Sequence, residues 1–218
     1  MAISFIFDMD GLILDTENVA RKVWPLCYNF VSPKEADDDY LHIVGQSNPA
    51  IIKYLCEKYP DQPIALINEQ VDLEIVKYVK KYGAGIKDGV LELLDYLDTH
   101  HIKKALATSS QMDVAKVLLA KENLYHRFDY IICGNHITHS KPDPEIFIKA
   151  ASYLGAAPED CYVCEDSYNG IRAAYTAGMI PIMIPDQIMP DFEMEEKAFR
   201  IYKRIDDIIP YLNTLRLK

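Results

Sequence analysis

Short apolar runs that alternate with helical patterns constrain the fold of this 218-residue chain more than any other feature. The first run, residues 3–7, is almost continuously apolar, which is typical of a strand buried on both faces of a sheet. Further runs cover residues 105–107, 130–133, 162–164 and 180–184. The alternation predicts an α/β fold, in which a Rossmann-like doubly wound parallel sheet carries helices on both faces.

The stretch between the first two apolar runs breaks this alternation. It has helical patterns at residues 18–30, 48–59 and 64–82 and contains no convincing strand. A helical segment of this length after a single strand exceeds an ordinary crossover. We therefore favour an inserted all-helical cap domain over helices that simply pack on the sheet.

The expected domain boundaries follow from this insertion. The α/β core comprises residues 1–14 and 84–218, and the helical cap comprises residues 15–83. Gly83 and Gly85 punctuate the chain where the cap ends, so we expect a hinge there.

The first cap helix carries two aromatic residues four positions apart, Trp24 and Tyr28. This spacing places them on one face of a helix, which we expect to pack in the cap core. An aromatic wall of a substrate pocket is the alternative.

Charge and hydropathy exclude several classes of partner. The formal net charge is -10 and the sequence pI is about 5.0, whereas nucleic acids and anionic membrane surfaces are bound by clustered Lys and Arg. No apolar run is long enough to cross a bilayer, and the N-terminal run lacks the basic segment of a signal peptide. We expect a monomer that binds neither nucleic acid nor membrane.

The five cysteines are odd in number and scattered along the chain. Cys161 and Cys164 form a C-x-x-C pattern that could be a redox or metal pair. However, they lie in a predicted strand, where a separation of three residues places side chains on opposite faces. Core cysteines are the favoured interpretation, and the reducing cytoplasm is the expected location.

Several predicted strands end in residues that could bind a ligand or a metal ion. In an open parallel sheet, ligands bind at the carboxyl ends of the strands. The residues concerned are Asp8 and Asp10 after the first strand, Thr108 and Ser109 after the second, and Glu165 and Asp166 after the fourth.

Each of these residues alone could be a helix cap or a turn residue. Together, four carboxylates at neighbouring strand ends would repel one another unless a cation lay among them. This crowding predicts a bound Mg²⁺. It also suggests phosphoryl transfer, because a carboxylate such as Asp8 can serve as a nucleophile and form an aspartyl phosphate.

These residues closely resemble the motifs of the haloacid dehalogenase superfamily of phosphatases and phosphomutases. Residues 7–17 match the first motif, D-x-D-G with a downstream D-[ST]-E, and Thr108 matches the second. Lys141, in Ser-Lys-Pro-Asp-Pro, matches the third, and residues 165–178 match the fourth. The motifs occur in order over nearly the whole chain.

The resemblance implies roles for the residues that would contact the phosphoryl group. Asp8 would attack phosphorus, and Asp10 would be the general acid and base. Thr108 and Lys141 would hold the phosphoryl oxygens. The backbone amides near Met9, Asp10 and Ser109 would also bind the phosphoryl oxygens. In isolation, Lys141 would instead be taken for a solvated surface lysine.

The resemblance also implies the metal ligands. Asp8 and Asp166 would bind Mg²⁺ through their carboxylates, and Asp10 would face the metal through its backbone carbonyl. Glu165 would be a direct or water-mediated ligand or would orient one.

The place of the insertion resembles the β-phosphoglucomutase-like subfamily, whose helical cap closes over the core. Its hexose-phosphate mutases carry a histidine and an arginine in the cap. The matching positions here hold Ala20 and Asn48, and Asn48 remains a candidate phosphate-binding residue. Arg21, Lys22 or Lys53 could replace the missing cation.

The loss of these cations favours a phosphatase acting on a small phosphorylated metabolite, such as a sugar or polyol phosphate, over a mutase. The pair Asp8 and Asp10 disfavours a dehalogenase, because family dehalogenases lack the second aspartate. A non-catalytic module that binds phosphorylated ligands is the alternative from another class, and it would be expected to have lost one of the two.

Overall fold

A parallel six-stranded sheet forms the centre of the computed structural model, which describes residues 3–44, 46 and 48–215, without the side chain of Asn48. The strands are β1 (Ser4–Phe7), β2 (Lys103–Ala107), β3 (Tyr130–Ile132), β4 (Cys161–Glu165), β5 (Ile180–Met183) and β6 (Arg200–Ile201). Their order is β3-β2-β1-β4-β5-β6, and all pairs are parallel. The predicted Rossmann-like fold is confirmed.

The helices of the structure are α1 (Thr16–Cys27), α2 (Pro33–Ile43), α3 (Asn48–Lys58), α4 (Ile64–Tyr82), α5 (Val90–Thr99), α6 (Met112–Lys121), α7 (Glu145–Leu154), α8 (Tyr168–Thr176), α9 (Phe192–Lys197) and α10 (Ile209–Leu212). Short 3₁₀ turns lie at Tyr125–Arg127, Gly134–His136, Pro158–Asp160 and Ile205–Ile208. None of the described helices is long and apolar enough to span a membrane.

Alternating side chains of β1 pack on opposite faces of the sheet. Phe5 and Phe7 belong to one buried cluster with residues of α5, α6 and α10, whereas Ile6 belongs to another with residues of α7 and α8. Because both faces are covered by helices, the strands are apolar along most of their length.

The two cysteines of the C-x-x-C pattern follow the same alternation. Cys161 packs in the cluster on the α7 side, and Cys164 packs in the cluster on the α5 side. Both are buried and free, as the period-2 argument predicted.

Helices α1 to α4 form the helical cap and have a buried cluster of their own. Trp24 and Tyr28 stack within it, with ring centroids 4.1 Å apart, as predicted for the cap core. We continue to propose residues 15–83 as the cap domain, since α1 begins at Thr16 and α4 ends at Tyr82.

The sequence patterns missed or misjudged several elements. The sequence patterns did not predict α2, whose apolar residues are few, although Ser32 caps it by accepting a hydrogen bond from the Glu35 amide at 3.2 Å. The sequence near the C-terminus predicts a helix over residues 205–215, whereas the structure has a 3₁₀ turn at Ile205–Ile208 followed by α10. Pro210 explains the interruption, because it lacks the N–H that would continue the helical hydrogen bonds.

The two chain segments that join cap and core pair with each other. Leu14 and Ile86 form an antiparallel bridge, the Asp15 amide donates to the Gly85 carbonyl at 3.0 Å, and the Lys87 amide donates to the Ile13 carbonyl at 3.0 Å. Both crossings therefore lie side by side, next to the carboxyl end of β1.

Candidate active site

The carboxyl ends of β2, β1 and β4 lie side by side and carry the predicted site residues. Asp8 follows β1, Thr108 follows β2, and Glu165 ends β4. All three are buried. The amide of Asp8 donates to the Cys164 carbonyl at 3.1 Å, so the sheet pairing itself fixes the start of this loop.

Lys141 reaches this cluster from the loop that precedes α7. Its Nζ lies 2.5 Å from Asp8 Oδ1, 2.6 Å from Glu165 Oε1 and 3.2 Å from the Ala107 carbonyl oxygen. The side chain is only 7% exposed, so Lys141 is not a solvated surface lysine. Burial alone would lower the pKa of Lys141, but the carboxylates of Asp8 and Glu165 raise it, and the ammonium group stays charged.

Burial and mutual repulsion disfavour the charged forms of the carboxyl groups around Lys141. Burial raises the pKa of Asp8 to about 7, with Glu165 and Asp10 acting in the same direction and Lys141 opposing them. Burial, followed by the charges of Glu165 and Asp8, raises the pKa of Asp166 well above its usual value. One lysine does not compensate for these buried acids, so the cluster favours a further cation.

Three of these carboxyl groups have the spacing of a metal site. One oxygen each from Asp8, Glu165 and Asp166 lie within 4.8 Å of one another. Carboxylate oxygens are the ligands that Mg²⁺ prefers, so the donor set fits the predicted metal.

Two glycines make room for the carboxyl groups of Glu165, which ends β4, and of Asp166, which follows it. A Cβ on Gly170 would lie 1.8 Å from the Glu165 carboxyl carbon, and a Cβ on Gly11 would lie 2.4 Å from Asp166 Oδ2. Gly11 also has φ of 76°, a conformation that disfavours other residues. Glu165 is held further by Ser167, whose amide and hydroxyl donate to Oε2 at 3.0 and 2.9 Å.

Asp10 lies beside Asp8 but has different partners. Its Oδ2 accepts hydrogen bonds from Thr108 Oγ1 at 3.0 Å and from Ser110 Oγ at 2.9 Å. The Ser110 amide in turn donates to Thr108 Oγ1 at 3.0 Å. Sequence reasoning missed Ser110, although the run Thr-Ser-Ser at the end of β2 contained it.

The remaining predicted phosphate-binding residues differ in whether their side chains reach the cavity. Ser109 lines the cavity above Asp8, whereas the Met9 side chain is fully buried in the core and leaves only its main chain for ligand binding. Asn48 begins α3, but its side chain lies outside the described residues.

A cavity of about 530 Å³ connects this cluster with the cap. Its core side includes Asp8, Asp10, Lys141 and Asp166. Its cap side is mostly apolar, with Ala20, Trp24, Ile43, Val44, Ile51 and Val71. Trp24 thus packs in the cap core, as predicted, and also lines this cavity.

Glu17 is the acidic residue on the cap side of this cavity among those described. The Tyr40 hydroxyl hydrogen-bonds the Glu17 carboxylate and lies 3.0 Å from the Glu17 carbonyl oxygen. Burial raises the pKa of Glu17. The sequence identified Glu17 only as part of the first motif, and nothing in the pattern indicated that Tyr40 would hold it.

Comparison with known proteins identifies relatives over most of the chain. The haloacid dehalogenase-like hydrolase family model matches residues 5–184. The Drosophila melanogaster protein named "Probable pseudouridine-5'-phosphatase" is 32% identical over 94% of this chain and 90% of its own. An Escherichia coli fructose-1-phosphate phosphatase is 33% identical over 80% of this chain and 92% of its own.

Solved structures share the same architecture. A β-phosphoglucomutase from Clostridium difficile superposes with a TM-score of 0.76, covering 98% of this chain and 96% of the other. At 24% identity, this likeness shows the fold alone.

Proposed function

Because the chain belongs to the haloacid dehalogenase-like hydrolase family, we propose that it is a magnesium-dependent phosphatase acting on a sugar or polyol phosphate through an aspartyl phosphate on Asp8. The observation that carries this proposal is the position of the Asp8 carboxylate. It lies at the base of the cavity, 2.5 Å from the buried ammonium group of Lys141 and close to Glu165 and Asp166. The phosphatase names of two relatives support the same class of reaction.

The reaction would proceed in two displacements. The Asp8 carboxylate attacks phosphorus, the bond to the ester oxygen breaks, and Asp10 gives its proton to the departing oxygen. Asp10 then takes a proton from water, which attacks the aspartyl phosphate and releases inorganic phosphate. Lys141 and Thr108 bind the phosphoryl oxygens, with Ser109 and the main chain near Met9.

The metal would be held by Asp8 and Asp166. Mg²⁺ supplies positive charge beside the phosphoryl group when it is bound. Both oxygens of Glu165 already accept hydrogen bonds, from Lys141 and from Ser167. Glu165 therefore suits the orientation of Lys141 better than direct ligation. The backbone carbonyl of Asp10 completes the proposed ligand set.

The charges around the cavity favour a phosphatase over a mutase. Lys141 is the sole cation among the described residues that line the cavity, and Ala20 stands in the cap wall. Arg21 instead pairs with Asp37 at 2.7 Å, and Lys22 and Lys53 are exposed. A bisphosphate intermediate would find no second cation among these residues, whereas a single phosphate would bind Lys141.

We further propose a cytoplasmic monomer that binds neither nucleic acid nor membrane. The five free cysteines suit a reducing compartment, and the net charge of -10 disfavours polyanionic partners.

Phosphate release from a panel of sugar and polyol phosphates, including fructose 1-phosphate, tests the proposal. We expect turnover with Mg²⁺, loss of turnover with EDTA, and recovery when Mg²⁺ is restored. Asp8→Asn should lower kcat by more than about 10³-fold, because it removes the nucleophile. Asp61→Asn, an exposed change in the cap, is the matched control and should keep wild-type activity.

Two results would replace this proposal. Conversion of β-glucose 1-phosphate to glucose 6-phosphate, with a trace of the bisphosphate and without phosphate release, would identify a mutase. No turnover at any pH, with phospholigand binding unchanged in Asp8→Asn, would identify a non-catalytic module.

A further inference from the structure

Glu17 lies where the cap meets the reacting groups. It is in the first turn of α1, two residues after Asp15. The Asp15 amide donates to the carbonyl of Gly85, in the segment that leads from the cap back to the core. Its side chain lines the same cavity as Asp8, Asp10 and Asp166. A substrate whose phosphate sits at Asp8 would therefore extend its leaving group toward Glu17.

Tyr40 fixes the position of this carboxylate. Its hydroxyl, brought by α2, bonds the Glu17 carboxylate and lies 3.0 Å from the Glu17 carbonyl oxygen. The Tyr40 ring is 5% exposed and packs beside Trp24 at a centroid distance of 5.9 Å. Since burial and the charge of Glu17 both raise the pKa of Tyr40, its hydroxyl remains a donor at physiological pH. A carboxylate held in this way is preorganised to accept a further hydrogen bond from a ligand.

Lys87, whose charge acts on Glu17, is paired with Asp186 at 2.7 Å, and no described residue on the cap side of the cavity is a cation that could bind a second anionic group. The rest of the described cap wall is apolar apart from Tyr40 and Gln46. Lys141, the cation of the described lining, is bound to Asp8 and Glu165 at the opposite end of the cavity. A second phosphate on the leaving group would meet a carboxylate of like charge, whereas a sugar hydroxyl could donate to it.

We propose that Glu17, held by Tyr40, determines the specificity of the enzyme for leaving groups that are uncharged and carry a hydroxyl. The hydroxyl donates to the Glu17 carboxylate, and the carbon skeleton packs on the apolar cap wall. Esters whose leaving group bears a second phosphate are rejected. This inference rests on the proposed phosphatase function and narrows its substrate class.

The test compares matched pairs of substrates that differ by one phosphate. Fructose 1-phosphate is paired with fructose 1,6-bisphosphate, and glucose 6-phosphate with glucose 1,6-bisphosphate. For the wild type, we expect kcat/KM to favour the monophosphate of a turned-over pair by about tenfold or more.

Three variants locate the origin of this preference. Glu17→Gln keeps the size and hydrogen-bonding capacity of the side chain and removes its charge. It should shrink the preference by about tenfold, mainly by lowering KM for the bisphosphate. Tyr40→Phe should shrink it less, because the carboxylate remains but is no longer fixed. Glu57→Gln removes a charge from an exposed site on α3 and should leave the preference unchanged.

The outcomes separate this inference from the function on which it rests. Turnover of monophosphates and bisphosphates with equal kcat/KM by the wild type, or an unchanged preference in Glu17→Gln, overturns the role of Glu17 and leaves the phosphatase intact. If Glu17→Gln fails to fold, the same preference in Tyr40→Phe as in the wild type overturns the proposal. Absence of turnover for every phosphomonoester removes both the function and the inference.

Discussion

The core side and the cap side of the cavity differ in the chemistry of the residues that line them. On the core side, charged groups lie at the ends of buried strands and bond one another, as Lys141 bonds Asp8 and Glu165. On the cap side, apolar side chains surround one held carboxylate, Glu17. Groups at strand ends are fixed by the sheet and can serve every phosphomonoester. The residues that the cap helices present to the cavity can be substituted without disturbing these strand-end groups. Under the proposed function, this contrast places the reaction in the core and the choice of substrate in the cap.

Of the substitutions that test this contrast, a change at Lys141 is expected to have the largest effect on activity. Lys141→Ala removes the buried ammonium group that faces the phosphoryl oxygens and should lower kcat/KM by about 10³-fold. The loss should be equal for all substrates of the phosphomonoester panel, because the phosphoryl group is common to them. Lys53→Ala, at an exposed cap position, should match the wild type. A loss at Lys141 that varies strongly between substrates would contradict the division of roles.

A matched pair of buried leucines tests whether cap and core also differ as folding units. Leu55 lies in the cap cluster and Leu93 in a core cluster, and both are fully buried. Each Leu→Ala change should cost about 2–5 kcal/mol of unfolding free energy in urea titrations. By hydrogen exchange, Leu55→Ala should accelerate exchange in α1 to α4 and spare the sheet strands. Equal acceleration throughout the chain in Leu55→Ala would contradict the proposed cap boundary at residues 15–83.

The smallest expected effect concerns the segment that leads to Lys141. Glu145 accepts hydrogen bonds from the amides of Thr138 and His139 at 2.9 and 2.8 Å and from Lys149 at 2.6 Å. The bond from Lys149, followed by that from the His139 amide, lowers the pKa of Glu145 to about 2 from a reference of 4.5. A lowered folded-state pKa stabilises the protein above the unfolded value, and this contribution is lost as the pH falls toward 2.

Glu145→Gln should therefore lower Tm at pH 7, by no more than about 3 °C. The difference from the wild type should shrink as the pH falls from about 4.5 to 2. Thermal unfolding followed by circular dichroism measures both, and Glu159→Gln, at an exposed position, is the control. A difference in Tm that stays constant over this pH range would show that the charge of Glu145 is not the cause.

The strand-end site was predictable from the sequence because its residues directly follow apolar runs. Asp8, Thr108 and Asp166 follow strands that the parallel sheet places side by side; Asp8 and Asp166 line one cavity, and Thr108 bonds Asp10 beside them. Lys141 was different. Its loop carries no strand signal, so in isolation it would be taken for a surface lysine, and the order of the family motifs decided in favour of the site.

The partners of these residues were harder to predict. The bonds from Ser110 to Asp10 and from Tyr40 to Glu17 join residues far apart in sequence, at positions that no periodicity marks. Helix α2 was missed because acidic residues interrupt its apolar face, and β6 because two residues form no pattern. Local patterns predict elements, whereas tertiary contacts decide which polar groups meet.

The paired linkers have a geometric consequence for Glu17. The cap is joined to the core at two adjacent points, through the bridge between Leu14 and Ile86. When a rigid body turns about an axis, each of its parts moves in proportion to its distance from that axis. Glu17 is only three residues from Leu14 along the chain, so it lies close to this bridge. If the cap turns about these linkers, Glu17 would therefore move little and would stay near the aspartates of the core while the cap opens.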